Sequence, residues 1–287
     1  MIKEPPMVID GRVMQQKDFV AYVMAKEFGP EPPTAIFLHH TWRPAQHDWQ
    51  GLDTLLAMKA YYEHQSWVDE AGQAHSGWTA GPHLFIAEDG IWLFSDMAYD
   101  GVGVVGHNHL SLHIEMVGDF DSDPPSGKTW ANTVTALGAL HARLGLETKS
   151  LMFHRDFSSK TCPGNAVTKE WVIPQVEAWV REFRQYEALR NAVMDQARRL
   201  FYANINPEAA LYRVSQARGL LGPLSDEWTV DANSQHYIVQ FFVDALVVPV
   251  GQWKQVKRLS EVSDVTHSPP PGGAGAGSGS VTPADSE

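Results

Sequence analysis

Hydrophobic and polar positions along the chain follow two periods, and the switch between them outlines the fold. In "LSLHIEMVGDF" (110–120) the alternation is strict: Leu112, Ile114 and Met116 fall on one face, His113, Glu115 and Val117 on the other, as in a strand. "AIFLHHT" (35–41) is a nearly continuous apolar run of strand length and reads as a buried strand. "HLFIAEDGIWLFS" (83–95) holds two short β-rich runs around Glu-Asp-Gly, the signature of a hairpin. Helical spacing appears in Leu52, Leu55, Leu56 and Tyr62, and again in Trp130, Val134, Leu137, His141 and Leu144, stopped at Gly145. A further helix is expected to start near Pro174, where Val176, Trp179, Val180 and Phe183 repeat, and to run to about Tyr202. A shorter one is expected within residues 16–29.

Strands alternating with helices predict an α/β or α+β domain. The pattern divides the chain into a lead-in (1–33), that domain (34–183), a connecting helix (184–203), and a small unit (204–260) with "YIVQFFVDALVVPV" as its strand-rich part. The tail, 261–287, is mostly Pro, Gly, Ser and Ala; too apolar-poor to offset the entropy of ordering, it is expected to be disordered.

Composition narrows the function. The 287 residues carry 22 Lys+Arg against 34 Asp+Glu, a formal charge of −12, which argues against a nucleic-acid partner needing a basic face. No apolar run is long enough to insert in a membrane, and the start lacks a signal-peptide pattern, so synthesis in a cytoplasm is expected. A single cysteine, Cys162, excludes an internal disulfide.

That cysteine lies in "MFHRDFSSKTCPG" (152–164), eight residues after His154 and two after Lys160. A redox centre would usually show a second cysteine. A cysteine nucleophile with His154 as its base survives this test. So does a metal site, to which His39 or His40 at the end of the "AIFL" run could add a third donor; two histidines and a thiolate leave one tetrahedral position open, as in catalytic zinc. Hydrolysis at such a site also needs a base and a group to hold the oxyanion. Glu115, a carboxylate in an apolar strand, and Lys160 are the candidates.

Four segments resemble the zinc-dependent N-acetylmuramoyl-L-alanine amidases, a family that includes phage lysozyme-type amidases and peptidoglycan recognition proteins. They are "FLHHT", "GWTAGPHLFIAEDGIWLF", "NHLSLHIEMVGDF" and "HRDFSSKTCPG", in the family's order over about 35–165. The resemblance implies a mixed central sheet flanked by helices, Zn2+ as cofactor, and bacterial peptidoglycan as substrate and partner. It implies His39, rather than His40, with His154 and Cys162 as metal ligands, Lys160 as the transition-state lysine, and Glu115 as base. Absence of a leader then fits an endolysin released through a holin. The chain departs from the pattern at Pro82, where many members carry a catalytic tyrosine, and at His113, where a glycine is common. Trp78, His83, His109 and His113 are taken as groove residues that touch substrate. Residues 204–260 weakly resemble small modules appended to wall hydrolases and are a candidate for wall attachment.

Overall fold

The structure, a computed structural model, describes residues 2–3, 6–68, 71–200, 205–217, 219–232, 235–240, 242–243, 246–247 and 257–258. The strands of the first two-thirds are β1 (Ile2–Lys3), β2 (Val13–Met14), β3 (Ala35–His40), β4 (Ser66–Val68), β5 (Ala74–Ser76), β6 (Leu84–Ala87), β7 (Gly90–Leu93), β8 (Ser111–Met116) and β9 (Met152–Phe153). Helices α1 (Gln16–Ala25), α2 (Leu52–Glu63), α3 (Gly127–Leu144) and α4 (Lys169–Leu200) alternate with them.

Six strands form one sheet in the order β2-β7-β6-β8-β3-β9. The β2–β7–β6 side is antiparallel; β6, β8, β3 and β9 run parallel. The fold is therefore a mixed sheet flanked by helices. Its hairpin turns through Glu88 and Asp89, as the Glu-Asp-Gly signal predicts. A small three-stranded sheet, β1-β5-β4, stands apart.

Pleating divides the central sheet. Ile36, Leu38, Leu84, Ile86, Leu112, Ile114 and Met116 are buried in one cluster with residues of α1, α3 and α4. Phe85, Trp92, Phe94 and Val117 belong to a second cluster with Leu55 of α2. Helix α3 is buried well beyond the stripe its spacing marks: every residue from Thr129 to His141 is buried. It lies between α1 and α4 as well as on the sheet, so its polar positions are enclosed: some are bonded internally, while Thr135 Oγ1 and His141 Nε2 have no partner among the described residues. Asn132 donates to the Ala87 carbonyl at 2.8 Å, and Thr133 to the Thr129 carbonyl at 2.8 Å. Gly138 leaves room for Trp179 of α4, whose ring a Cβ would meet at 2.3 Å. Gly145 ends α3 with φ of 68°, the left-handed stop expected there.

Helix α4 begins five residues before Pro174. The hydroxyl of Thr168 accepts the Trp171 N–H at 3.2 Å, capping the helix upstream. Pro174 inside it forfeits one backbone bond, and the packing of Val176, Trp179 and Val180 against α3 outweighs that loss. Beyond α4, α5 (Ala210–Ala217) and short antiparallel pairs such as Trp228–Ala232 with Gln235–Val239 are described. The expected disordered tail, 261–287, and much of the strand-rich part of 204–260 lie outside the described residues.

One core group makes stability pH-dependent. His141 is fully buried, and desolvation lowers its pKa to about 4. The unfolded chain then binds a proton that the folded chain refuses between about 6.5 and 4, so stability falls as pH drops through that window. His141→Leu is expected to flatten this acid limb by up to about 1.4 kcal/mol per pH unit, read from urea melts between pH 4 and 7.

Candidate metal centre

The carboxyl ends of three adjacent parallel strands supply the site. In the order β8, β3, β9, register pairs Glu115 with His39, and Leu38 with Phe153, which places His154 one step beyond Phe153 on the same edge. This is where open α/β sheets bind ligands, because the strands end there and loops diverge. Alternation turns His39 and Glu115 to one face and His40 to the other. His40 accepts the Phe120 N–H through Nδ1 at 3.2 Å, and serves as a buried structural partner.

His39, His154 and Cys162 each offer a donor atom, all within 4.8 Å of one another. Cys162 Sγ lies 3.6 Å from His39 Nδ1 and accepts the His40 N–H at 3.4 Å. The rings of His39 and His154 meet edge to face at 5.0 Å. Glu115 Oε1 is 3.9 Å from His39 Nδ1, while Oε2 is buried with no partner among the described residues.

The electrostatics suit a cation. Desolvation, then His113 and His154, holds His39 well below the usual histidine range, and burial with Lys160 lowers His154 to about 4. Both rings are neutral at pH 7 and offer lone pairs. Burial, then Glu115, pushes the Cys162 thiol up, so it ionises readily only beside a positive ion. Burial raises Glu115 to about 8 against the pull of Lys160. Two imidazoles and a thiol at this spacing match the donor set of zinc. Lys160 is exposed, and its charge reaches Glu115, His39, His154 and Cys162.

The loop carrying Cys162 is held by groups that no local pattern announces. Arg155 spans it, donating to the carbonyls of Thr161 at 3.3 Å, Gly164 at 2.7 Å, and Val167. Asp121 accepts the Thr161 hydroxyl at 3.1 Å and the Asn165 N–H at 3.0 Å. Gly164 has φ of 113°, and a Cβ there would sit 2.3 Å from the Phe120 carbonyl oxygen. Gly164→Ala is therefore expected to destabilise the fold by more than about 2 kcal/mol and to weaken metal retention, measured by thermal melts and metal content.

The four residues expected to touch substrate separate. His83 and His113 are 0% exposed, packed against Gly101 and Gly103, and present no surface to a substrate. Trp78 is half-buried and stacks on Trp67 at 4.9 Å. His109 is exposed and pairs with Asp100 at 2.9 Å, which raises its pKa. Tyr62 of α2 packs against the second core cluster, and burial, then the charge of Glu115, holds its hydroxyl well above the usual tyrosine range.

Residues 29–165 match the family model of the N-acetylmuramoyl-L-alanine amidases. That segment contains His39, Glu115, His154, Lys160 and Cys162. Among solved structures, Drosophila PGRP-LB is similar at 21% identity and a TM-score of 0.40, over 55% of this chain and 91% of its own. Drosophila PGRP-SA is similar at 17% identity and 0.41, over 58% and 83%. The endolysin amidase LysCS of Clostridium intestinale URNW is similar at 16% identity and 0.37, over 61% and 94%. No curated protein sequence matches the chain.

Proposed function

We propose that this chain is a zinc-dependent amidase that cleaves bacterial peptidoglycan at the bond between N-acetylmuramic acid and the L-alanine of the stem peptide. The observation that carries the reading is the donor trio His39, His154 and Cys162, with Glu115 in register beside His39, inside the segment that matches the amidase model.

A zinc ion held by the trio would acidify a water molecule and polarise the scissile carbonyl. Glu115 takes the proton of the attacking water and returns it to the leaving amine of alanine. The Lys160 ammonium faces the oxyanion that forms as the carbonyl carbon becomes tetrahedral. The biological role that fits is a phage endolysin reaching the wall through a holin, with residues 204–260 as an attachment module. No helix among the described residues is long and apolar enough to cross a membrane.

The test is incubation of zinc-loaded protein with purified sacculi, followed by mass spectrometry of the soluble products. New L-alanine amino termini and matching free muramyl carboxyls are expected. Binding to sacculi without such ends would make the chain a recognition protein and end the enzyme reading.

A further inference from the structure

The buried histidines at 83 and 113 present no surface to a substrate, and their hydrogen bonds lead to the metal centre. His39 Nε2 lies 3.1 Å from His113 Nδ1. The His113 backbone N–H donates to His83 Nδ1 at 3.0 Å. His83 Nδ1 is thereby fixed as an acceptor, so the proton of that neutral ring sits on Nε2 and is donated to the Tyr99 carbonyl at 3.0 Å. The chain from Tyr99 to the strand beneath the site thus has one orientation.

We propose that His113 is a positioning residue that holds His39 in the one tautomer able to bind a metal through Nδ1. The proposal rests on reading His39 as a metal ligand. A single proton lies between His39 Nε2 and His113 Nδ1. If His113 keeps it, the proton of neutral His39 must sit on Nδ1, which faces Cys162 Sγ at 3.6 Å, and the lone pair a metal needs is gone. If His113 accepts instead, His39 carries its proton on Nε2 and Nδ1 is free to ligate. This is the outer-shell arrangement that orients ligating imidazoles, with a second imidazole where a carboxylate or carbonyl usually stands.

Two further features fit a placed ring rather than a filler. His113 Nε2 is buried with no partner among the described residues, so the ring pays for its position with an unsatisfied group. Gly103 admits the ring: a Cβ there would lie 2.4 Å from His113 Nδ1, on the very atom that faces His39. The Asn108 side chain holds that glycine in place, accepting the N–H groups of Gly103 and Val104, each at 3.0 Å.

The experiment compares zinc affinity of the full chain, stripped of metal and titrated against a chromophoric chelator. His113→Leu fills the space without an acceptor; His113→Asn keeps an oxygen near the Nδ1 position. The leucine variant is expected to bind zinc about 10–100-fold more weakly, and the asparagine variant to recover most of that loss. Equal, wild-type-like affinity in both variants overturns the proposal. So does equal weakening in both, which would mark a packing role. Should the leucine variant not fold, nitrogen-15 spectra of the zinc-loaded wild type decide: a proton on His39 Nε2 and none on His113 Nδ1 is expected, and the reverse overturns it. Wild-type protein that binds no zinc at all would instead sink the metal reading on which this stands.

Discussion

Cys162→Ser is expected to remove the metal and with it at least roughly a thousandfold of amide hydrolysis, about 4 kcal/mol of barrier. A serine hydroxyl is a far poorer ligand for a borderline-soft cation than a thiolate, and the two remaining imidazoles do not close the site. The fold should survive, because Cys162 is a small buried side chain whose backbone interactions, accepting the His40 N–H and donating to the His40 carbonyl, serine can also make. Melting of the metal-free variant should therefore stay close to that of metal-free wild type, while zinc content per chain falls. The same variant tests the nucleophile reading left open by the spacing of His154 and Cys162. A nucleophilic thiol predicts a dead variant that still holds its metal, and a wild type indifferent to chelators. Burial argues the other way: it pushes the thiol up, and an attacking sulfur needs the thiolate.

Periodicity made the sheet legible. The strict alternation at 112–117 and the apolar run at 35–40 became the two central parallel strands, and the Glu-Asp-Gly turn became the hairpin. Helix edges were less legible where a side chain outranked a backbone rule. The Thr168 cap moved the start of α4 upstream of Pro174, because one lost hydrogen bond weighs less than a capped, well-packed helix. The character of α3 was hidden for another reason. Its threonines and Asn132 look like a solvent face, and only the layer formed by α1 and α4 around it buries them.

At the site, residue types that are costly or scarce were readable: a lone cysteine, a carboxylate in an apolar strand, paired histidines at a strand end. The structure brings His39, His154 and Cys162 together, with Glu115 alongside. What could not be read was depth. Strand alternation correctly puts His113 on the face of Glu115, yet whether that face is open two residues earlier depends on the Gly101–Gly103 loop folding over it. The supports of the Cys162 loop were invisible as well, since Arg155 binds backbone carbonyls, which carry no sequence signal, and Asp121 reaches Thr161 and Asn165 from a distant part of the chain.

Glu115→Gln is expected to lower turnover by roughly 10²–10⁴-fold while zinc content and adsorption to sacculi stay near wild type. The separation is the point of the experiment. Glutamine has the volume and shape of the carboxylate, so the strand register that pairs position 115 with His39 should persist. It cannot take a proton from water or return one to an amine. The surroundings already show what the carboxylate is balanced between. Desolvation raises Glu115 to about 8, and the exposed Lys160 ammonium draws it down. Lys160→Met should then act in two ways, weakening the hold on the oxyanion and leaving Glu115 harder to ionise. Its activity loss should accordingly be less than additive with Glu115→Gln, because once the base is gone the second effect has nothing to act on. Strict additivity would confine Lys160 to the oxyanion. A glutamine variant with wild-type turnover would remove Glu115 as the base.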